Sequence, residues 1–147
     1  MSKGDSAYRK ALAEMRQGDP DVEKARALLE EAVHLGNANA AYALGTWYLH
    51  GTYVMKNLKK AIELIESAAN ADVPDACYDL AVSYEKGVGV EKNLERAFDL
   101  YVKAMLNGEK QSIYEVGRCF FHGIGVAKDE RVGLLFVNFA RERKIDK

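Results

Sequence analysis

The sequence predicts an all-α fold in which short helix pairs stack into an α-solenoid, and three observations carry this prediction. One phrase recurs every 36 residues, as "LHGTYVMKN" at 49–57, "EKGVGVEKN" at 85–93 and "FHGIGVAKD" at 121–129. Small and apolar residues flank each copy at three- and four-residue spacing, which is the period of an amphipathic helix. The chain has only 2 prolines in 147 residues, and its Ala, Leu, Glu and Lys content favours helices. A fixed period of this length is typical of repeat proteins.

Each unit is predicted to contain a first helix, the glycine-containing phrase as a turn, and a second helix. The first helices are expected at about 6–17, 40–50, 76–86 and 112–122. The second helices are expected at about 21–35, 57–70, 93–107 and 129–143. A short polar residue begins each second helix and is suited to accept a free backbone N–H there. These N-cap residues are Asp21, Asn57, Asn93 and Asp129.

The repeat also predicts the domain organisation. We expect a single repeat domain over 1–147 with a divergent N-terminal helix pair at 5–39, repeats at 40–75 and 76–111, and a divergent C-terminal repeat at 112–147. The first unit is divergent because Met15 stands where the turn glycine is expected. Glycine or alanine recurs where paired helices would cross, as at Gly45 and Ala61. A single unit cannot bury its apolar face alone, so stacking should complete the core.

These columns resemble the Sel1-like repeat, a relative of the tetratricopeptide repeat. The resemblance is carried by "AAYALGTWYLHGTYVMKNLKKA" at 40–61 and "ACYDLAVSYEKGVGVEKNLERA" at 76–97, with a looser match at 112–133. It implies a right-handed α-solenoid of helix-turn-helix repeats with about four helix pairs. It also implies a non-catalytic adaptor or regulator that binds another protein or peptide, and a bacterial immunity protein is one specific version.

The alternative function is that of a weak β-lactam hydrolase, which the resemblance associates with a secreted, disulfide-rich, β-lactamase-like branch of the family. Units of that branch carry two cysteines eight residues apart. Cys77 occupies one such position here, but Ala69 occupies its partner position. The equivalent pair one unit later is Met105 and Ile113. The diagnostic disulfide is therefore not expected.

The resemblance places a partner-binding groove on the first helices. Its positions combine a column of three tyrosines with charged and polar residues, and Tyr and Arg are frequent anchors of protein interfaces. The expected groove residues are Asn39, Tyr42, Thr46, Leu49, His50, Asp75, Tyr78, Val82, Glu85, Lys86, Gln111, Tyr114, Arg118, Phe121 and His122. Tyrosines that only pack along the wall of the groove are the competing interpretation.

Three other motifs could indicate a phosphate-binding, metal-binding or catalytic site, but each fits a structural role better. The Gly-x-Gly phrase lacks the further glycine or Lys-Ser/Thr of a phosphate loop, so its glycines are interpreted as turn residues. His50 and His122 occupy the same column two units apart, too far for one metal ion. Cys119 and His122 lie at helical i, i+3 spacing, but Cys119 occupies a column expected to be packed. We therefore predict no catalytic residue, no metal site and no cofactor.

The last helix departs from the repeat by carrying an apolar stripe, Val132, Leu135 and Phe139, on a face that earlier units keep largely polar. Because the end of a solenoid is normally capped by polar residues, this stripe is a second candidate interface. Four occupants could cover this stripe: a partner protein, a second copy of the chain in a homodimer through the C-terminal helix, a folded-over tail, or a further repeat.

Charge and hydropathy limit the remaining function classes. The net charge of −1 gives no electrostatic reason to expect nucleic acid as a partner. No segment approaches the roughly 20 apolar residues of a membrane span. The N-terminal "MSKGDSAYRK" has no apolar stretch after its basic residues, which favours a cytoplasmic protein. A periplasmic location would fit if a signal peptide had been removed.

Overall fold

The computed structural model describes residues 4–145, and the secondary structure of that range consists of eight α-helices and no strand. The helices are α1 (Asp5–Met15), α2 (Val22–His34), α3 (Ala38–His50), α4 (Leu58–Asn70), α5 (Pro74–Lys86), α6 (Leu94–Leu106), α7 (Gln111–His122) and α8 (Glu130–Glu142). None of these helices is long and apolar enough to cross a bilayer. The predicted all-α helical-repeat fold is confirmed.

The predicted N-caps are confirmed at all four second helices. Each side-chain oxygen accepts a hydrogen bond from the backbone N–H three residues later, at 3.0–3.1 Å. The cap residues are Asp21, Asn57, Asn93 and Asp129. Each cap satisfies one of the backbone donors that a helix leaves free at its N-terminus, and such a cap contributes about 1 kcal/mol.

The first helices begin one or two residues earlier than the sequence pattern predicted. Asn37 caps α3 by accepting a hydrogen bond from the Ala40 N–H at 2.8 Å. Pro74 begins α5, where its fixed φ and its missing N–H are tolerated. Apolar periodicity locates the buried face of a helix, and these capping residues lie outside that face. α1 ends at Met15 rather than at residue 17.

The glycines of the repeated phrase make turns, as predicted. Gly51, Gly87 and Gly123 each end a first helix in the left-handed conformation, with φ of 68°, 71° and 73°. The second glycine position is also left-handed, and Tyr53 adopts it with φ of 64°. That conformation costs a non-glycine residue about 1 kcal/mol or more. The phrase therefore fixes the backbone path between two helices.

The chain divides into two compact units, Met1–Ala71 with α1–α4 and Asp72–Lys147 with α5–α8. In the first unit, small residues of α1 and α2 pack with Leu44 and Tyr48 of α3. In the second unit, the largest fully buried side chains are Tyr101, Leu80 and Val116, together with two cysteines. Each unit buries its own apolar faces between paired helices.

Close helix crossings explain why small residues recur at a fixed spacing within this chain. A Cβ added at Gly117 on α7 would lie 3.0 Å from the Gly133 carbonyl oxygen on α8. A Cβ added at Gly133 would lie 2.6 Å from the backbone nitrogen of Phe121. Gly133 is therefore a contact point that lets α7 and α8 approach closely.

Candidate protein-interaction site

The first unit contributes the predicted groove residues of α3. Asn39 and His50 are exposed, whereas Tyr42 and Thr46 are half-buried. The Thr46 hydroxyl donates a hydrogen bond to the Ala43 carbonyl within its own helix at 2.7 Å. Leu49 packs partly against the core of the unit. Of the five, Asn39 and His50 are therefore the most accessible to a partner.

The second unit contributes the predicted residues of α5 and α7. Three side chains are exposed: Asp75, Lys86 and His122. Seven others are half-buried: Tyr78, Val82, Glu85, Gln111, Tyr114, Arg118 and Phe121. Half-buried side chains of this kind are held in place by neighbours and still present polar or aromatic surface. His122 lies edge-to-face against Phe121, with ring centroids 5.0 Å apart.

Two of these predicted residues are joined directly. Arg118 on α7 donates two hydrogen bonds to the Glu85 carboxylate on α5, at 3.0 Å from Nη1 to Oε2 and 2.7 Å from Nη2 to Oε1. The side chains of Arg118 and Glu85 are 26% and 18% exposed. This bidentate arrangement is both stronger and more directional than a single ion pair. It orients both side chains at the surface of α5 and α7.

Sequence reasoning missed two further members of this arrangement. The Tyr101 hydroxyl of α6 donates to Glu85 Oε1 at 2.8 Å, and Arg118 Nη2 also donates to Glu115 Oε2 at 3.2 Å. Both are buried. We call Glu85, Tyr101, Glu115 and Arg118 the Arg118 cluster. The signal available in the sequence was Tyr101 itself, which stands in a repeat column otherwise occupied by the aliphatic residues Leu29, Ile65 and Val137.

Contacts within the cluster shift the pKa of Glu85, Arg118 and Tyr101 in the directions that preserve the ion pair and the phenol donor. Burial opposes the charged form of Glu85, but the hydrogen bonds from Arg118 and Tyr101 outweigh it and lower the pKa of this carboxyl. The hydrogen bond to Glu85 raises the pKa of the Arg118 guanidinium. Burial, followed by the bond to Glu85, raises the pKa of the Tyr101 phenol, which therefore remains a donor. The ion pair persists throughout the neutral pH range.

An aromatic contact extends the same surface along α5. Tyr78 packs edge-to-face on the buried Tyr101 ring, with centroids 5.7 Å apart. We call the side chains of Tyr78, Val82, Glu85, Tyr114 and Arg118 the α5/α7 face. Helical spacing places the α5 members one above another, and it does the same for Tyr114 and Arg118 on α7. The face thus combines aromatic area with a fixed, directional charge pair.

The cysteines of the second unit do not resemble nucleophiles. Cys77 and Cys119 are not joined in a disulfide, and neither has exposed surface. Burial raises the pKa of the Cys119 thiol to about 11, and burial also raises the pKa of Cys77. A catalytic thiol requires a lowered pKa and access to substrate. The geometry therefore gives no support to a Cys119–His122 pair.

The C-terminal apolar residues form a second surface, with one difference from the predicted stripe. Leu135 and Phe139 are 60% and 43% exposed and line an open groove of about 440 Å³. Met105, Ile113 and Phe136 complete the lining, and we call these five residues the α8 groove. Val132 is half-buried and lies outside that lining.

The helix pairs, the recurrent left-handed turns and the fixed period define a helical repeat protein. Comparison with protein-family models gives four consecutive matches to the Sel1 repeat, at residues 8–37, 38–73, 74–109 and 110–136. The chain therefore belongs to the Sel1 repeat family. Proteins built from such repeats typically serve as interaction scaffolds.

Solved structures give the same fold. A Sel1 repeat protein from Oxalobacter formigenes matches with a TM-score of 0.88 and 24% identity over 96% of this chain and 59% of that one. Immunity protein Pa5087 from Pseudomonas aeruginosa matches with a TM-score of 0.64 and 26% identity over 96% of this chain and 53% of that one. This chain thus spans little more than half the length of either protein.

A cysteine-rich relative is also similar. Helicobacter pylori cysteine rich protein B matches with a TM-score of 0.64 and 28% identity over 69% of this chain and 77% of that one. A search among curated proteins gave no match.

Proposed function

We propose that this protein is a non-catalytic interaction module whose α5/α7 face binds a partner protein or peptide. The observation that carries the proposal is the bidentate Arg118–Glu85 pair, which fixes the orientation of two half-buried charged side chains on a face that also carries Tyr78 and Tyr114. Interfaces are enriched in Arg and Tyr because these residues bury much area and keep a polar end. A pre-oriented anchor also loses less side-chain entropy when it binds.

A more specific version of the proposal is an immunity or regulatory protein, which would bind a toxic or regulated protein and occlude it. Its support is the similarity to an immunity protein at 26% identity over 96% of this chain. The burial of both thiols also fits binding better than catalysis. In this version the partner is the protein that the α5/α7 face contacts.

Affinity capture from the native host tests the proposal. Tagged wild type is compared with Tyr78→Ala/Arg118→Ala and with the control Glu95→Ala, which changes an exposed residue of α6 outside the α5/α7 face. We expect at least one protein to be captured by wild type and the control but lost by the double variant, while circular dichroism shows all three folded. Capture of the same set by the double variant would reject the α5/α7 face as the site.

The specific version has its own test. Expression of the captured protein alone should slow growth of a bacterial host, and co-expression of this chain should restore it. Unchanged growth with the captured protein alone and with co-expression would reject the immunity version, but it would not reject the more general proposal of a binding module. Turnover of a chromogenic β-lactam by wild type, lost in Tyr78→Ala/Arg118→Ala, would instead support the hydrolase alternative.

A further inference from the structure

The α8 groove is adjoined by a basic depression that shares two of its residues. Ile113 and Phe139 also line a second open depression of about 530 Å³, together with Lys110, Arg143 and Lys144. We call these three cations the basic rim. The Arg143 guanidinium lies over the Phe139 ring, 4.6 Å from its centroid. The apolar and basic surfaces therefore meet at Phe139.

Among residues 4–145, no acidic side chain forms a salt bridge with any of the three cations of the basic rim. Cations without a salt-bridge partner among the described residues are suited to attract an acidic group from another chain.

We propose that the α8 groove and its basic rim form a docking site for an acidic amphipathic segment of a partner protein. The apolar side chains of that segment lie against Leu135, Phe136 and Phe139. Its carboxylates lie toward Lys110, Arg143 and Lys144. This second site is separate from the α5/α7 face and does not depend on the function proposed for that face.

A further Sel1 repeat would leave part of the α8 groove open, as the previous repeat shows. Leu135 and Phe139 correspond to Asp99 and Lys103 on α6 in the 36-residue register. Asp99 remains exposed although α7 packs on α6. Lys103 forms a surface salt bridge with Asp72 at 3.3 Å. The face that carries Leu135 and Phe139 is therefore one that a following repeat leaves open.

A second copy of the chain fits less well because of charge. A symmetric dimer through the α8 groove would place two basic rims against one shared interface. Like charges brought together across an interface disfavour association, whereas an acidic segment is attracted to the rim. A membrane surface would also attract the rim, but a bilayer is flat, whereas the apolar residues here line a concave groove.

The test uses two synthetic 16-residue helical peptides that share leucine and phenylalanine at positions i, i+3, i+4 and i+7. One carries glutamate at the flanking positions and the other carries lysine. Fluorescence anisotropy with the full chain should give the acidic peptide an affinity at least about tenfold higher, decreasing as salt rises from about 50 to 300 mM. Leu135→Glu/Phe139→Glu should weaken binding by about a hundredfold or more, because it places carboxylates at the apolar anchors. Lys110→Glu/Lys144→Glu should weaken it about tenfold and reduce the salt dependence.

Met55→Glu is the matched control. It also replaces an exposed apolar side chain, 88% accessible, with glutamate, but it lies in the first unit. It should leave the affinity for the acidic peptide within about twofold of wild type. Four outcomes would overturn the proposal. They are the absence of acidic-peptide binding, equal affinity for both peptides, binding to anionic phosphatidylserine vesicles that Leu135→Glu/Phe139→Glu abolishes, and concentration-dependent dimerisation of wild type that the same variant abolishes.

Discussion

Arg118 and Glu85 face each other across two hydrogen bonds that join α7 to α5, and Tyr101 holds the same carboxylate from the buried side. The pair therefore joins two helices of the second unit, and in the proposed function it also forms part of the binding surface. A change at the buried Tyr101 tests the structural role alone, because it leaves the exposed surface unchanged. A change at Arg118 alters both the stability and the surface.

Removing the guanidinium should destabilise the second unit. Arg118→Ala leaves the Glu85 and Glu115 carboxylates without their shared donor, and a hydrogen bond to a charged group contributes about 1.5–3 kcal/mol. Tyr101→Phe removes one hydroxyl donor and should cost about 1 kcal/mol. Urea denaturation measures both values. Equal costs for the two variants, or no cost for Arg118→Ala, would contradict the geometry of the cluster.

The cluster also predicts a pH dependence. Since the pKa of Glu85 is lower in the folded state, its contribution to stability is complete above the unfolded pKa of about 4.3 and is lost as pH falls through the folded pKa. The difference in unfolding free energy between wild type and Glu85→Gln should therefore be constant near neutral pH and shrink below about pH 4.3. A difference that grows on acidification would show that the carboxyl is not stabilised by Arg118.

The crossing of α7 and α8 predicts an exception to helix propensity. Gly133→Ala should gain about 1 kcal/mol from propensity alone, but its Cβ would meet backbone atoms of Phe121 and Gly117 that cannot move independently. We expect a net loss of about 1–3 kcal/mol. Gly45→Ala is the comparison, because the nearest atom there belongs to a side chain, Ile65 Cγ1, rather than to the backbone, and the loss should be smaller. Thermal unfolding of both variants gives the order.

The burial of both thiols predicts that they react slowly with thiol reagents in the native protein. Cys77 and Cys119 have no exposed surface, and burial raises the pKa of both. Ellman's reagent should leave both unmodified in the native protein and modify both in denaturant. Rapid modification of native Cys119 would restore interest in its pairing with His122, and Cys119→Ser would then identify which thiol reacts.

Much of this fold could be predicted from the sequence because the same capping and turn residues recur in each repeat. The polar N-caps at Asn57 and Asn93 and the turn glycines Gly87 and Gly123 each need only a few neighbouring residues to act. The bounds of α3 and α5 were less predictable, because Asn37 and Pro74 act outside the apolar pattern.

The site was predictable only in part. The resemblance to the Sel1-like repeat gave Glu85 and Arg118 as separate groove residues, but their contact spans 33 positions and depends on how α5 and α7 pack. Tyr101 lies on the intervening α6, so no local pattern connects it to Glu85. At the C-terminus, the register identified Leu135 and Phe139, whereas Met105 and Ile113 joined them only through the packing of three helices.

Calorimetric titration of the partner identified by affinity capture tests the central claim most directly. Wild type, Arg118→Ala, Tyr114→Ala and the control Glu95→Ala are compared under conditions where all four are folded. We predict that Arg118→Ala and Tyr114→Ala each weaken binding by about tenfold or more, as expected for interface anchors, while Glu95→Ala binds as wild type does. Unchanged affinity in both Arg118→Ala and Tyr114→Ala would contradict the assignment of the α5/α7 face as the binding site.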